Sequence, residues 1–357
     1  MVLRLTLLAT LVLSGGARAA ETMRIAMGGE VASVELSGEG LSVGDDDDEA
    51  QFEALGERAT VTWSGGHLAI DGKPSPREVL RFRAAKPGTL SALGTRVHGD
   101  VVVLPGKSKL LAINVLPLEE YLVGVLGSEM PRSFPLEALK AQAVAARTYA
   151  LNKKLEQYGQ PFHLGSSVIS QVYKGLDVED QRTREAVDGT RGLVLTWMLQ
   201  PIEAYFHASC GGRTEAGADA LGRDLPYLRA VDCPCGKLPS SHWTLTLNAQ
   251  ELAALFKKAA GLEVQGRTRT GRVRRVAVGP RSVDAVTFRE RVGYMKLKSL
   301  DFEVEKAKDG WRLDGHGFGH GAGMCQWGAR VYAEKGWGFE KILQHYYPGT
   351  ELQTLYE

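Results

Sequence analysis

Glu129 is the residue whose surroundings point most directly to chemistry. It stands among Leu126, Met130 and Phe134, and apolar neighbours withdraw a carboxylate from water and raise its pKa. A carboxyl group kept neutral near pH 7 is a general acid. A second cluster is the run Gly315–Ala329, where His316 and His320 alternate with glycines ahead of Cys325, Gln326 and Trp327. Such a run is costly to order, so it marks backbone pressed against something; the competing reading is a tight turn that both histidines cap. The third cluster is the cysteines Cys210, Cys233, Cys235 and Cys325, with His207 and His242 nearby in sequence. Two disulfides and a tetrahedral zinc site both fit them, and the sequence leaves the two open.

The elements around Glu129 read as two helices. After Pro117, Leu118, Leu122 and Val125 recur at helical spacing until Gly127 and Pro131 stop the pattern. Glu129 therefore falls at a helix C-terminus, where the helix dipole also disfavours negative charge. Ser133 and Pro135 open a second pattern through Leu136, Leu139, Ala143, Val144, Arg147, Ala150 and Leu151, whose alanines let other backbones approach; it reads as a long buried helix. Gln142, Arg147 and Tyr149 on it either reach a cleft or satisfy inner polar groups. Glu119 and Glu120 are explained by the dipole at a helix start.

Short β-like stretches at Arg24–Met27, Val31–Leu36, Thr60–Trp63 and Val79–Phe82 come before these helices, with hairpin turns expected at Gly65-Gly66 and Asp71-Gly72. The acidic run Asp45–Glu49 lacks the spaced ligands of a calcium loop and reads as a solvated turn. Beyond the helices, a polar helix is expected at 179–188, a hairpin from 192–197 and 202–206 delivering His207, an amphipathic helix at 248–260, strands at 273–278 and 285–288, and a short helix at 342–347. The fold class is α+β: a small β-rich N-terminal domain (20–103), then a mixed α+β domain (104–357). Residues 1–19, with Arg4, an apolar run and Ala17-Arg18-Ala19, have the order of a secretory signal peptide. The expected location is periplasmic or extracellular, with no transmembrane anchor in the mature chain. Forty-three Lys and Arg against 42 Asp and Glu give no sign of a nucleic-acid surface.

The order LPLEEYL, EMP and FPLEALKAQAVAARTYAL, followed by SQVYKG (170–175), AYFH (204–207), GGRT (211–214), the Gly315–Ala329 run and HYYPGT (345–350), resembles the stage II sporulation protein D family across about 104–355. The resemblance implies a lytic transglycosylase that cuts peptidoglycan glycan strands, including strands stripped of peptides. It makes Glu129 the catalytic acid. Candidate substrate-binding positions are Arg147, Gln171, Tyr173, His207, Gly211, Gly212, His316, His320, Gln326 and Trp327, the last offering a flat face to a sugar ring. A single carboxylate suits this reaction, because the sugar's own 6-hydroxyl replaces water as nucleophile, whereas hydrolysis usually needs two carboxylates. Similar sequences also act as non-catalytic activators of a cell-wall amidase, which gives the alternative reading and an amidase as partner. Some members bind zinc through a Cys/His cluster before the Gln-x-Tyr motif. Here that stretch is Phe162–Ser170, with His163 as its one ligand, so that site does not transfer.

Overall fold

The computed structural model describes residues 21–47, 50–166, 171–257 and 261–356. The expected signal peptide, Ser170 and part of the acidic run lie outside them. Within that run, Asp46 accepts from Arg24 and Asp45 pairs with Arg77.

Alternating burial builds one large sheet. In Ser33–Gly44, Val34, Leu36, Leu41 and Val43 turn inward while Glu35 and Glu39 stay in water, the pattern of a strand with one covered face. Its neighbours place Leu164–Gly165, Thr22–Ala26, Leu110–Pro117, Asp100–Pro105, Leu80–Ala84, Ser33–Gly44, Glu53–Ser64, His67–Ile70 and Lys73–Pro74 side by side. Every pairing along this path is antiparallel except that of Leu164–Gly165 with Thr22–Ala26. Both expected hairpin turns are present. Gly65 and Gly66 have φ of 59° and 84°, and Asp71 and Gly72 have 49° and 79°, the left-handed pair that a two-residue turn requires. Position 103/104 falls inside strand Asp100–Pro105, and one hydrophobic core runs from Met23 through the helices to Tyr347.

Strand Leu110–Pro117 leads straight into helix α1 (Leu118–Glu129), and α2 (Leu136–Glu156) follows after Pro135. Ser133 makes no cap; α2 begins at the residue after the proline. Small residues ring α2, so neighbours close on every side: α1, α3 (Gln181–Asp188), α7 (Gln326–Glu334), α8 (Phe339–Tyr346) and strand Leu193–Trp197. Leu139 and Val144 are fully covered, each contributing about 1.5–3 kcal/mol. The polar helix expected at 179–188 starts at Gln181 under an Asp180–Thr183 capping box.

Residues 242–316 form a second unit with its own core of Trp243, Leu252, Phe256, Val276, Phe288, Phe302 and Leu313. It holds two three-stranded sheets, helix α5 (Ala249–Phe256) and helix α6 (Ala285–Val292). Helix α4 (Gly217–Leu221) lies in the main body before it. Arg272 clamps the unit onto that body, donating to the carbonyls of Cys210 (2.6 Å) and Arg213 (2.8 Å). Two local expectations are corrected. Residues 285–288 are helical, because the Asp284 side chain accepts from the Val286 N–H and caps a helix start. The hairpin from Leu193–Trp197 turns back only through Gln200–Pro201; Phe206–His207 pairs instead in parallel with Met324–Cys325.

Candidate functional site

Glu129 is the last residue of α1, and two glycines of that helix decide what lies beside it. A Cβ on Gly127 would come within 2.2 Å of the Val178 carbonyl, and one on Gly124 within 2.7 Å of the Tyr173 ring. Only glycine lets the segment 171–178 lie flat along α1. That segment is pinned from beneath. The Gln171 amide donates to the Ala146 carbonyl (3.1 Å) and accepts from the Tyr121 hydroxyl (3.0 Å), while the Tyr173 hydroxyl donates to Asn114 (3.0 Å). Between them the Val172 N–H is left to donate to Glu129 Oε1 at 2.8 Å. On the other oxygen, the Gln326 amide stands 3.4 Å from Oε2 and the same distance from the Gln142 amide oxygen.

Among the described residues no cation pairs with Glu129. Burial pushes its carboxyl above the ordinary range, and the Val172 N–H and Gln326 amide reverse only part of that rise. A carboxyl raised in this way can serve as a general acid.

Glu129 opens into a cleft of about 470 Å³ between the main body and the second unit, a volume within the usual range for a small-molecule site. Tyr149, Tyr205, His207 and Gln326 share one wall with it; Arg289, Tyr294 and Met295 form the facing wall. A neighbouring cavity of about 510 Å³, lined by Glu215, Arg272 and Asp284, does not reach Glu129. His207 is buried, its Nδ1–H donating to the Ala322 carbonyl (3.0 Å). That bond leaves Nε2 as a buried lone pair without a protein partner, and burial holds the ring neutral. His320 is fully engaged: its Nδ1 accepts from the Ala322 N–H (3.1 Å) and its Nε2 donates to the Phe206 carbonyl (2.9 Å). Burial draws its pKa down to about 4. It lines the cleft while tying its own loop.

The other expected site residues are scattered by comparison. Arg147 is fully buried and holds Glu119 with two hydrogen bonds of 2.9 and 2.7 Å; it satisfies inner polar groups. Gln171 and Tyr173 lie behind Glu129 rather than in the cleft. His316 faces outward beside His242, ring centres 5.3 Å apart. Trp327 makes a T-shaped contact with Phe134 at 5.0 Å and has the Arg330 guanidinium 5.1 Å from its ring centre, and it is not among the cleft-lining residues. Gly211 and Gly212 turn at φ of 83° and 126° beside Gly236. They belong to a cysteine cluster. Cys210, Cys233, Cys235 and Cys325 are all buried and unbridged, with their sulfurs within 4.8 Å of one another. His163, in the stretch where the family's zinc site does not transfer, instead accepts from the Arg24 N–H.

Sequence reasoning did not single out the Val172 N–H. The signal was present, since Gln171 and Tyr173 alternate as inward residues and Gly124 and Gly127 share a helix face. Arg289 and Tyr294 carried no local signal, because only the docking of the second unit brings them to the cleft.

Residues 106–197 match the family described as Stage II sporulation protein, and 241–323, which include the second unit, match a domain of unknown function. The chain is 33% identical over 286 residues to an uncharacterized protein of Brachyspira hyodysenteriae, covering 77% of each. It is 34% identical over 266 residues to the stage II sporulation protein D of Bacillus subtilis, covering 68% of this chain and 76% of that one. To the amidase enhancer of the same organism it is 31% identical over 292 residues, covering 65% of this chain and 40% of that one. With the motif-bearing helices inside the matched region and 76% of the Bacillus subtilis protein covered, the chain belongs to the stage II sporulation protein D family.

Proposed function

We propose that this protein is an exported lytic transglycosylase of peptidoglycan, with Glu129 as its single acid and base. The observation that carries the reading is a half-buried carboxyl that faces a cleft and has no counter-charge among the described residues. Glu129 donates its proton to the glycosidic oxygen between N-acetylmuramic acid and N-acetylglucosamine, and the bond from that oxygen to C1 breaks. The 6-hydroxyl of the same muramic residue then attacks C1 and gives its proton to Glu129. The acid is regenerated, a 1,6-anhydro ring closes and no water is consumed.

The remaining groups position the sugar. The Val172 N–H and the Gln326 amide fix the two carboxylate oxygens, which favours the ionised intermediate of the cycle without a full charge that would keep the proton off. The Nε2 of His207 accepts from a sugar hydroxyl or acetamido N–H. Tyr149 and Tyr205, whose ring centres lie 5.4 Å apart, supply apolar faces. No helix among the described residues is long and apolar enough to cross a membrane; the N-terminal segment exports the chain, and the glycan is met outside.

The test is digestion of purified, peptide-free glycan strands with the products weighed. Ends of 1,6-anhydro-N-acetylmuramic acid, lighter by one water than reducing ends, are expected. Ordinary reducing ends would require a second carboxylate and a bound water. Uncut strands would turn the reading to a non-catalytic activator, in keeping with the name of the amidase-enhancer relative.

A further inference from the structure

The four cysteines come from three separate stretches of chain and meet at one buried point. Cys210 follows His207 on the cleft wall, Cys233 and Cys235 flank Pro234 in a tight turn, and Cys325 immediately precedes Gln326. Their sulfurs all lie within 4.8 Å of one another, with those of Cys210 and Cys235 3.3 Å apart. A tetrahedron of zinc–sulfur bonds of about 2.3 Å has edges of about 3.8 Å, so one ion at the centre needs only small sulfur shifts. A disulfide needs about 2.05 Å, and a pair of disulfides gives no reason for all four sulfurs to share one centre.

The surroundings are those of thiolates. Cys325 Sγ accepts from two backbone N–H groups, Gly328 at 3.2 Å and Cys210 at 3.4 Å. The Ser209 hydroxyl donates to Cys235 Sγ at 3.6 Å, and the Tyr346 hydroxyl stands 3.2 Å from Cys233 Sγ. Donors directed at metal-bound sulfur orient the ligand and spread its charge. The backbone is shaped to match. A Cβ on Gly236 would meet the Gly211 carbonyl at 2.7 Å, and one on Gly328 would meet the Tyr346 hydroxyl at 2.1 Å and Cys233 Sγ at 2.3 Å.

We propose that Cys210, Cys233, Cys235 and Cys325 bind one structural zinc ion, which ties together the loops carrying His207 and Gln326 and so fixes the wall of the cleft opposite the second unit. The ion has no open position and takes no part in chemistry; it replaces the disulfides that an exported protein would ordinarily use.

The experiment uses the full chain purified without chelator. Metal is measured by plasma mass spectrometry, the intact mass is taken without reduction, and thiols are counted after unfolding in chelator. One zinc per chain and four free thiols are expected, with zinc released when a mercurial blocks the thiols. Cobalt added to metal-free protein should give the intense visible absorption of a tetrahedral cobalt thiolate, and Cys235→Ser should lose that band and most of the zinc. An intact mass lower by four hydrogens overturns the proposal in favour of two disulfides. Bound iron, or four free thiols with no metal taken up, overturns it too. These readouts do not involve glycan cleavage, and the wild-type values decide even if Cys235→Ser fails to fold.

Discussion

The two ends of helix α1 each hold a glutamate away from bulk water, Glu119 buried and Glu129 half-buried, and their electrostatic environments differ. Glu119, in the first turn, is 8% exposed. Burial alone would raise its carboxyl pKa, but the Arg147 guanidinium, with the Tyr356 hydroxyl at 2.6 Å, holds it below the ordinary range. Among the described residues, Glu129, in the last turn, meets only a peptide N–H and an amide, and its carboxyl stays above that range. The first glutamate also sits where the helix dipole favours charge and the second where it opposes it. What separates a structural carboxylate from a candidate acid here is the counter-charge, since both are withdrawn from water. The same helix thus carries an anchor at one end and a candidate proton donor at the other.

The largest effect should come from breaking the anchor. Arg147→Ala leaves Glu119 buried without a cation, and removing one partner of a buried pair costs about 3–5 kcal/mol. Denaturant unfolding should show the loss near neutral pH. The lowered Glu119 contributes stability above its unfolded pKa and loses it as pH falls through the folded one, so the gap between variant and wild type should narrow in acid. A gap that is independent of pH would deny the ion pair its role.

Making the acid end resemble the anchor should have a smaller effect. Gln326→Lys places an ammonium where the amide now approaches Glu129 Oε2. The Glu129 pKa should fall, and near neutral pH cleavage should drop about tenfold for each unit, or about 1.4 kcal/mol. The alkaline limb of the pH–rate profile should move to lower pH. A slower enzyme with an unmoved profile would mean that the lysine disturbs packing and not ionisation.

Local features were legible in the sequence wherever local physics decides them. Asp71-Gly72 fixed a turn because its two positive φ angles suit those residues, and the alanines of α2 marked a helix covered on every side. Glu129 could be placed at a helix end from Gly127 and Pro131 alone. Ala285–Phe288 misled because a β-like run of four residues was decided by the cap at Asp284. Arg147 could be read as lining a cleft or as an inner ion pair, since its partner Glu119 is 28 positions away. The facing wall of the cleft depends on how a second unit docks, and no spacing in the chain encodes that.

The most direct measurement compares wild type with Glu129→Gln on purified peptide-free glycan strands, with rates and product masses followed alongside thermal unfolding. The account predicts a fall in rate of at least about 10²-fold, with a fold no less stable above the raised Glu129 pKa, where the wild type must hold an ionised carboxylate out of water. That stability advantage should vanish as pH falls below the unfolded carboxylate range, because both proteins are then neutral at this position. A folded Glu129→Gln variant that still released 1,6-anhydro ends at the wild-type rate would contradict the assignment of Glu129 as the acid.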